Sequence, residues 1–403
     1  RFYTINLLII SFYFTPDYCA GSFRTQSFVN SLIGKNLFNK VILITTIPHR
    51  YGPMEDYKKI EHNYGIDVIR IKIPQHNNIF IKQLFSFATF FFKSIQISLK
   101  KRRDFEAVFT TSSRFGTSFL GFVISKLLNK KLALDIRDIF SDSLKSLSFS
   151  KKLIGKFLIV IIKKLEALTF RNAQWINFVS PGFLTYDHLN KKKLKTHIFT
   201  NGIDDIFVKN RLNNKINWSK KIKLPLTITY AGNIGYGQGL EKTVPFIANY
   251  FKEKINIKLI GDGSSIDLIK HQINKNNITN VKIIKPVNRR ELLKYYNKSD
   301  VLFLQLNDSK VFEKVIPSKI FDYGSFDKPL LAGVKGTARD FLKKHLPLSF
   351  IFDIDDLESA TDEINKIVNF DLNKIDNDIF TKNFQRKTIM DELVLSLYSE
   401  FKK

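Results

Sequence analysis

Short apolar runs recur along the chain with room for a helix between them. Residues 6–13, 41–46, 66–71, 107–110, 132–136 and 175–180 form a first series, and 226–231, 257–260, 281–287, 300–306 and 330–333 a second. The runs are continuous rather than alternating, as in strands buried on both faces of a parallel sheet. Stretches of helical period, such as 25–33, 289–297 and 391–403, lie between or after them. This alternation predicts the α/β class, with doubly wound parallel sheets. A polar stretch rich in Asn and Lys, 205–224, separates the two series. We therefore expect a Rossmann-like domain over 1–204, a linker over 205–224, a second Rossmann-like domain over 225–380 and a terminal helical segment over 381–403. At 403 residues the chain is too long for one ordinary core, which agrees with two domains.

Two helical stretches depart from an ordinary amphipathic pattern. Residues 79–103 are dense in Phe, carry Lys82, Lys93, Lys100, Lys101, Arg102 and Arg103, and contain no acid. Residues 151–164, KKLIGKFLIVIIKK, repeat the theme at shorter length. Aromatic insertion beside cations suits a helix lying on an anionic membrane face. A half-buried helix with a solvated basic edge gives the same pattern. The net charge of +27, from 64 basic and 37 acidic side chains, attracts polyanions of either kind, nucleic acid or membrane. No run of eighteen uncharged apolar residues predicts a spanning helix. The single cysteine, Cys19, leaves no internal disulfide framework and fits a reducing compartment. The apolar start runs into Thr15-Pro16-Asp17 and reads as a strand rather than a signal peptide.

Candidate chemistry sits after the predicted strands. The first loop carries Gly21 and Arg24 ahead of the helix 25–33. Asp135-Ile136-Arg137-Asp138 concentrates charge at the end of run 132–136, where ligands bind in α/β sheets. The loop after 226–231 carries Gly232, Asn233, Gly235, Gly237, Gln238 and Gly239, and such a loop wraps phosphate with backbone N–H groups or serves as a tight packing turn. Gly261-Asp262-Gly263 makes a third turn, and Asn288 with Glu291 forms a capping pair for the helix from Arg289. The stretch 315–331, VIPSKIFDYGSFDKPLL, predicts a helix from Pro317 with Ser318 and Lys319 in its opening turn and Asp322 one turn on. That arrangement suits a phosphate at the helix tip and sugar hydroxyls on Asp322, or an ordinary capped helix.

These motifs together, Pro317-Ser318-Lys319 with Asp322-Tyr323 and Lys328-Pro329, the GNIGYGQGL loop, Arg137-Asp138 and Asn201-Gly202-Ile203-Asp204, occur in the order found in the retaining glycosyltransferases of family 4. The chain resembles that family over essentially its whole length, nearest to the branch that builds bacterial surface polysaccharides. The resemblance implies the GT-B architecture, two Rossmann-like domains facing a cleft, and metal-free transfer of a sugar from a nucleotide diphosphate sugar with configuration retained. It implies no cofactor beyond that donor substrate. It assigns donor contacts to Gly21, Arg24, Gly232, Asn233, Gly235, Gln238, Gly261, Gly263, Val287, Pro317, Ser318, Lys319 and Asp322, with Asp322 holding the ribose, and catalytic contacts to Asp138 and Lys319. The implied acceptor is a polyprenyl-diphosphate-linked glycan at the cytoplasmic face of the bacterial plasma membrane, with 79–103 and 151–164 as the membrane contacts. Two departures stand out. Lys314 occupies the place of a second acid, with Glu313 one residue out of step, and Phe326 is bulky where the family keeps small residues. Two other readings are a basic nucleic-acid-binding protein, whose binding would fall steeply with salt, and a nucleotide-sugar epimerase of the same architecture.

Overall fold

The structure, a computed structural model, describes residues 5–17, 19–48, 60–63, 65–74, 80–112, 116–145, 153–186, 194–213 and 224–403. Two compact units divide the chain: Arg1–Asn201 with Lys387–Lys403, and Gly202–Arg386.

In the first unit, β1 (Ile5–Ile10), β2 (Phe38–Thr46), β3 (Ile60–Asn63), β4 (Ile66–Ile71), β5 (Ala107–Thr111), β6 (Lys131–Ile136), β7 (Trp175–Phe178) and β8 (Thr196–Ile198) form one sheet in the order β3-β4-β2-β1-β5-β6-β7-β8. Only the β3–β4 hairpin is antiparallel. Leu7 of β1 stands opposite Val41 on one side and Ala107 on the other. The helices are α1 (Ala20–Lys35), α2 (Phe80–Lys100), α3 (Thr117–Leu128), α4 (Phe140–Lys145) and α5 (Leu153–Arg171). Leu7, Leu8, Ile9 and Ile10 are all buried, so a continuous apolar run is what this central strand requires. Phe28 of α1 stacks on Phe109 of β5 at 4.2 Å between ring centres, and Phe109 in turn approaches Trp175. Each such side chain contributes roughly 1.5–3 kcal/mol by leaving water.

The second unit holds α6 (Asp205–Asn213), β9 (Leu226–Asn233), α7 (Leu240–Phe251), β10 (Ile255–Asp262), α8 (Ile266–Lys275), β11 (Val281–Ile284), α9 (Arg289–Lys298), β12 (Val301–Gln305), α10 (Lys319–Gly324), β13 (Leu330–Gly333), α11 (Gly336–His345), β14 (Phe350–Phe352), α12 (Leu357–Asn369) and α13 (Asp378–Asn383). Its strand order is β11-β10-β9-β12-β13-β14, wholly parallel, with Ile228 between Ile257 and Val301. Without the β3 hairpin, both sheets share one winding: the chain moves outward from a central strand, returns beside it and continues the other way. The switch points lie between β1 and β5 and between β9 and β12, where ligands settle in open α/β sheets. A last helix, α14 (Arg386–Phe401), buries Met390, Leu393, Val394 and Leu397 and receives the Trp175 indole N–H on Ser396 Oγ at 3.0 Å.

Three local expectations change. The stretch 205–224, expected as a linker, opens with α6; residues 214–223 lie outside the described ones. Arg211 of α6 is buried and held by Asp327 at 2.6 Å, Asp378 at 3.0 Å and Asp376 at 3.2 Å, so pairing docks a helix whose composition reads as linker. Helix α1 begins at Ala20, five residues before the expected start, because Gly21 lowers helix stability by only about 1 kcal/mol and nothing in Ala20–Arg24 breaks the turn. Helix α10 begins at Lys319 rather than Pro317 and lasts six residues, closed when the Ser325 hydroxyl donates to the Asp322 carbonyl at 2.7 Å.

Candidate functional site

At the second unit's switch point, β9 delivers the Gly232–Gly239 loop and β12 leads into α10. Asp322 is 4% exposed; its Oδ2 lies 3.4 Å from Lys319 Nζ, while Oδ1 is sealed from water with no hydrogen-bond partner. An unmatched buried acceptor costs about 1–3 kcal/mol, more when charged, so this oxygen is poised for donors that arrive with a ligand. Lys319 is half-buried, and its stem runs beside Gly232, where an added Cβ would meet Cε at 3.6 Å, in ordinary contact. The Lys319 ammonium is held below the usual lysine range: burial is the largest cause, Arg289 and Arg386 add to it, and Asp322 opposes them.

Two further cations belong to this cluster. Arg289, at the first turn of α9, pairs with Asp204, lies 5.5 Å over the Phe207 ring and is brought down to about 10 by burial, with Asp322 opposing. Arg386 also pairs with Asp204 and donates to the Gly202 carbonyl at 3.0 Å. Three cations therefore meet two carboxylates, Asp204 and Asp322. Neither arginine was among the expected contacts; the Arg289-Arg290 doublet at a helix start was the only local signal, and Arg386 had none. Val287 sits just before α9, partly buried against the core, and Asn288 Oδ1 accepts the Glu291 N–H at 3.0 Å as the capping pair predicts.

The glycines divide by purpose. A Cβ on Gly261 would lie 1.8 Å from the Gly232 carbonyl oxygen, and one on Gly263 would lie 2.4 Å from Ile234, so these two allow the ends of β9 and β10 to pack. This packing accounts for both glycines from the fold alone, beside the ligand contacts expected of them. The loop's N–H groups are also partly consumed. Ile234 N–H donates to the Asp262 carbonyl at 2.9 Å, and Gln238 Oε1 accepts from Gly235 N–H at 3.2 Å and Asn233 Nδ2 at 2.9 Å. The Gln238 carbonyl thus ties its own loop together. Pro317 and Ser318 precede a helix of only six residues, and the Ser318 side chain caps nothing, so the expected helix tip has little helix dipole behind it. Phe326 fits because it packs into the core, 5.5 Å from Tyr296 between ring centres.

At the first unit's switch point the picture reverses. Arg24 is 2% exposed and donates from Nε and Nη2 to both oxygens of Asp135 at 2.8 Å, and to the carbonyls of Thr200 at 2.7 Å and Phe199 at 2.9 Å. Asn177 and Thr111 complete the carboxylate's shell at 2.7 and 3.0 Å. Burial alone would raise the Asp135 pKa, but Arg24 and these hydrogen bonds hold it below the usual carboxylate range. Arg24 serves as a strut in the fold, and Gly21 lies buried in the first turn of α1 rather than in a loop. Asp138 follows β6 with its side chain exposed; the surrounding protein pushes its carboxyl up to about 6, with Arg137 opposing. Glu166 of α5 accepts Phe140 N–H at 2.8 Å and Tyr186 hydroxyl at 2.9 Å, and burial raises its pKa against those bonds.

The helices α2 and α5 each pack on α3 and leave apolar side chains in solvent: Phe85, Phe92, Leu84 and Leu99 on α2, and Ile154, Phe157, Leu158, Ile161 and Leu168 on α5. Lys93, Lys100, Lys156 and Lys164 are exposed on the same two helices. Ile79, Lys151 and Lys152 of the expected membrane stretches lie outside the described residues. Among the described residues no helix is long and apolar enough to cross a membrane.

No family model matches the sequence, and no curated protein matches it. Solved structures do match its fold. Sucrose-phosphate synthase from Thermosynechococcus elongatus superposes with a TM-score of 0.72 at 13% identity over 98% of this chain and 99% of that one. HepE from Anabaena, in complex with UDP and glucose, gives 0.65 at 14% identity over 98% and 100%. An α,α-trehalose-phosphate synthase from Burkholderia xenovorans, in complex with glucose-6-phosphate, gives 0.68 at 10% identity over 97% and 99%. With its two Rossmann-like sheets of shared winding, the chain has the GT-B fold of these enzymes.

Proposed function

We propose that the protein is a retaining glycosyltransferase that moves a sugar from a nucleotide diphosphate sugar to a lipid-linked glycan acceptor, without a metal. The observation that carries this reading is the Asp322 carboxylate, buried with one oxygen unpartnered beside Lys319. Ribose hydroxyls would satisfy Oδ1. Lys319, with Arg289 and Arg386 behind it, would take up the charge that develops on the departing diphosphate, an electrostatic role that needs no proton transfer from the protein. The fold neighbours support a nucleotide-sugar donor, since HepE is seen in complex with UDP and glucose, and the E. coli trehalose-6-phosphate structure is bound with UDP-2-fluoro glucose. Asp138, exposed after β6, is offered as an acceptor contact and not as the group that holds the donor.

The exposed apolar residues of α2 and α5, set among lysines, support docking to an anionic membrane as the source of the acceptor, with the protein peripheral at the inner face of a bacterial plasma membrane. The test is sugar transfer from a panel of nucleotide sugars to polyprenyl-diphosphate acceptors, with and without a chelator. Asp322→Ala and Lys319→Ala should each lose at least a hundredfold in turnover while keeping the wild-type circular dichroism and melting curve. Wild-type turnover in either purified variant contradicts the assignment. Loss of turnover on chelation contradicts the metal-free step.

A further inference from the structure

We propose that Arg137 is the oxyanion-binding cation of the first unit, and that the group it holds is a phosphate or carboxylate carried by the acceptor. The second half of this statement rests on the transfer reading above.

Arg137 directly follows β6, at the sheet end where ligands settle, and its backbone is pinned there by its N–H donating to Ser112 Oγ at 2.7 Å. Its guanidinium, by contrast, makes no hydrogen bond or ion pair with a described residue, and its Nε is sealed from water without a partner. Arg24 shows what a structural arginine looks like at the same sheet end, with four hydrogen bonds to Asp135 and two carbonyls. A guanidinium left bare in protein surroundings costs stability, and folds retain such a group where a ligand completes it.

The local charge points the same way. Asp135 is already neutralised by Arg24 at 2.8 Å. The remaining carboxylate, Asp138, is exposed and stands outside ion-pair distance of Arg137. Burial pulls the Arg137 pKa below the usual arginine range, with Asp138 opposing, and a bound anion would reverse that pull. A planar fork with free donors is matched by the two oxygens of a phosphate or carboxylate, which a lysine would hold less specifically. Since Lys319, Arg289 and Arg386 serve the donor diphosphate in the other unit, the anion at Arg137 belongs to the second substrate.

The experiment compares the wild type with Arg137→Met, Arg137→Lys and, as a charge-matched control, Lys126→Gln on the exposed end of α3. Inorganic phosphate is titrated at constant ionic strength in the presence of saturating UDP, followed by thermal shift and by 31P line broadening. We expect saturable stabilisation of the wild type and of Lys126→Gln, loss of at least tenfold in phosphate affinity for Arg137→Met, and a smaller loss for Arg137→Lys. Without ligand, Arg137→Met should melt at or above the wild-type temperature, and its UDP affinity should be unchanged. An identical phosphate response in Arg137→Met overturns the proposal, as does a ligand-free melting point well below wild type, which would make the arginine structural. A parallel fall in UDP affinity overturns the acceptor assignment by giving the anion to the donor. If UDP stabilises no form of the protein, the donor reading fails, and the phosphate titration still decides whether Arg137 binds an oxyanion.

Discussion

Asp135 lies at the end of β6 in the first unit and Asp322 sits on α10 after β12 in the second, and each lies beside a cation. Asp135 is saturated, with both oxygens on Arg24 and further bonds from Asn177 and Thr111. Asp322 is buried to a similar degree, yet one oxygen has no partner and the other reaches only a long contact to Lys319. The first pair locks the end of a sheet; the second is incomplete as folded. Burial and charge alone do not mark a site; what Asp322 has and Asp135 lacks is a carboxylate oxygen with an unmet hydrogen bond beside a cluster of cations.

The largest effect that would sharpen this contrast is on stability. Arg24→Met strands Asp135 without its counter-ion, so unfolding free energy should fall by about 3–5 kcal/mol, read by denaturant titration. A variant of near wild-type stability would put Arg24 back among the ligand contacts. Next, Asp322→Ala should cost about 1.5–3 kcal/mol in nucleotide affinity, roughly 10- to 150-fold by calorimetry, with little change in stability. A large loss of stability there would make the two carboxylates alike after all.

Two carboxylates of the first unit, Asp135 and Glu166, have opposite signs with pH. Asp135 has a folded pKa below its unfolded value, so its contribution is present above about pH 4 and is lost as pH falls through the lowered value. Glu166 has a raised folded pKa, so its contribution is present below about pH 4.3 and is lost as pH rises through the raised value. Melting across pH should therefore show an acid-side loss that Asp135→Asn flattens and a loss on the rising side that Glu166→Gln flattens. The smallest effect on stability belongs to the exposed helix faces. Phe157→Asp, at a ring that is 68% exposed, should leave stability within about 0.5 kcal/mol while weakening sedimentation with anionic vesicles. Unchanged vesicle binding would leave those faces without the membrane role.

Much of this was legible in sequence, for physical reasons. Strands buried on both faces announce themselves as unbroken apolar runs, so all eleven expected runs coincide with strands, and the capping pair at Asn288 and Glu291 is a signal three residues apart. The stretch around Asp322 was legible because its Pro, Lys and acid are local. What escaped was assembled from afar. Arg24 finds Asp135 at a separation of 111 residues, which no local pattern reveals. Asp204, Arg289 and Arg386 meet around Lys319 from three distant segments. The packing role of the β10-turn glycines was hidden for a related reason, because the neighbour that forbids a side chain at Gly261 is the backbone of Gly232 on the adjacent strand.

The most direct test of the account is a thermal shift of the purified protein against UDP, GDP, ADP, dTDP and CDP, repeated with Asp322→Asn. A ligand at 100 times its dissociation constant adds about 2.7 kcal/mol, a shift of several degrees or less in a domain of this size. The account predicts that one nucleoside diphosphate stabilises the wild type and that Asp322→Asn loses most of that stabilisation. Equal stabilisation of both proteins, or none of either across the panel, contradicts a nucleotide site at Asp322.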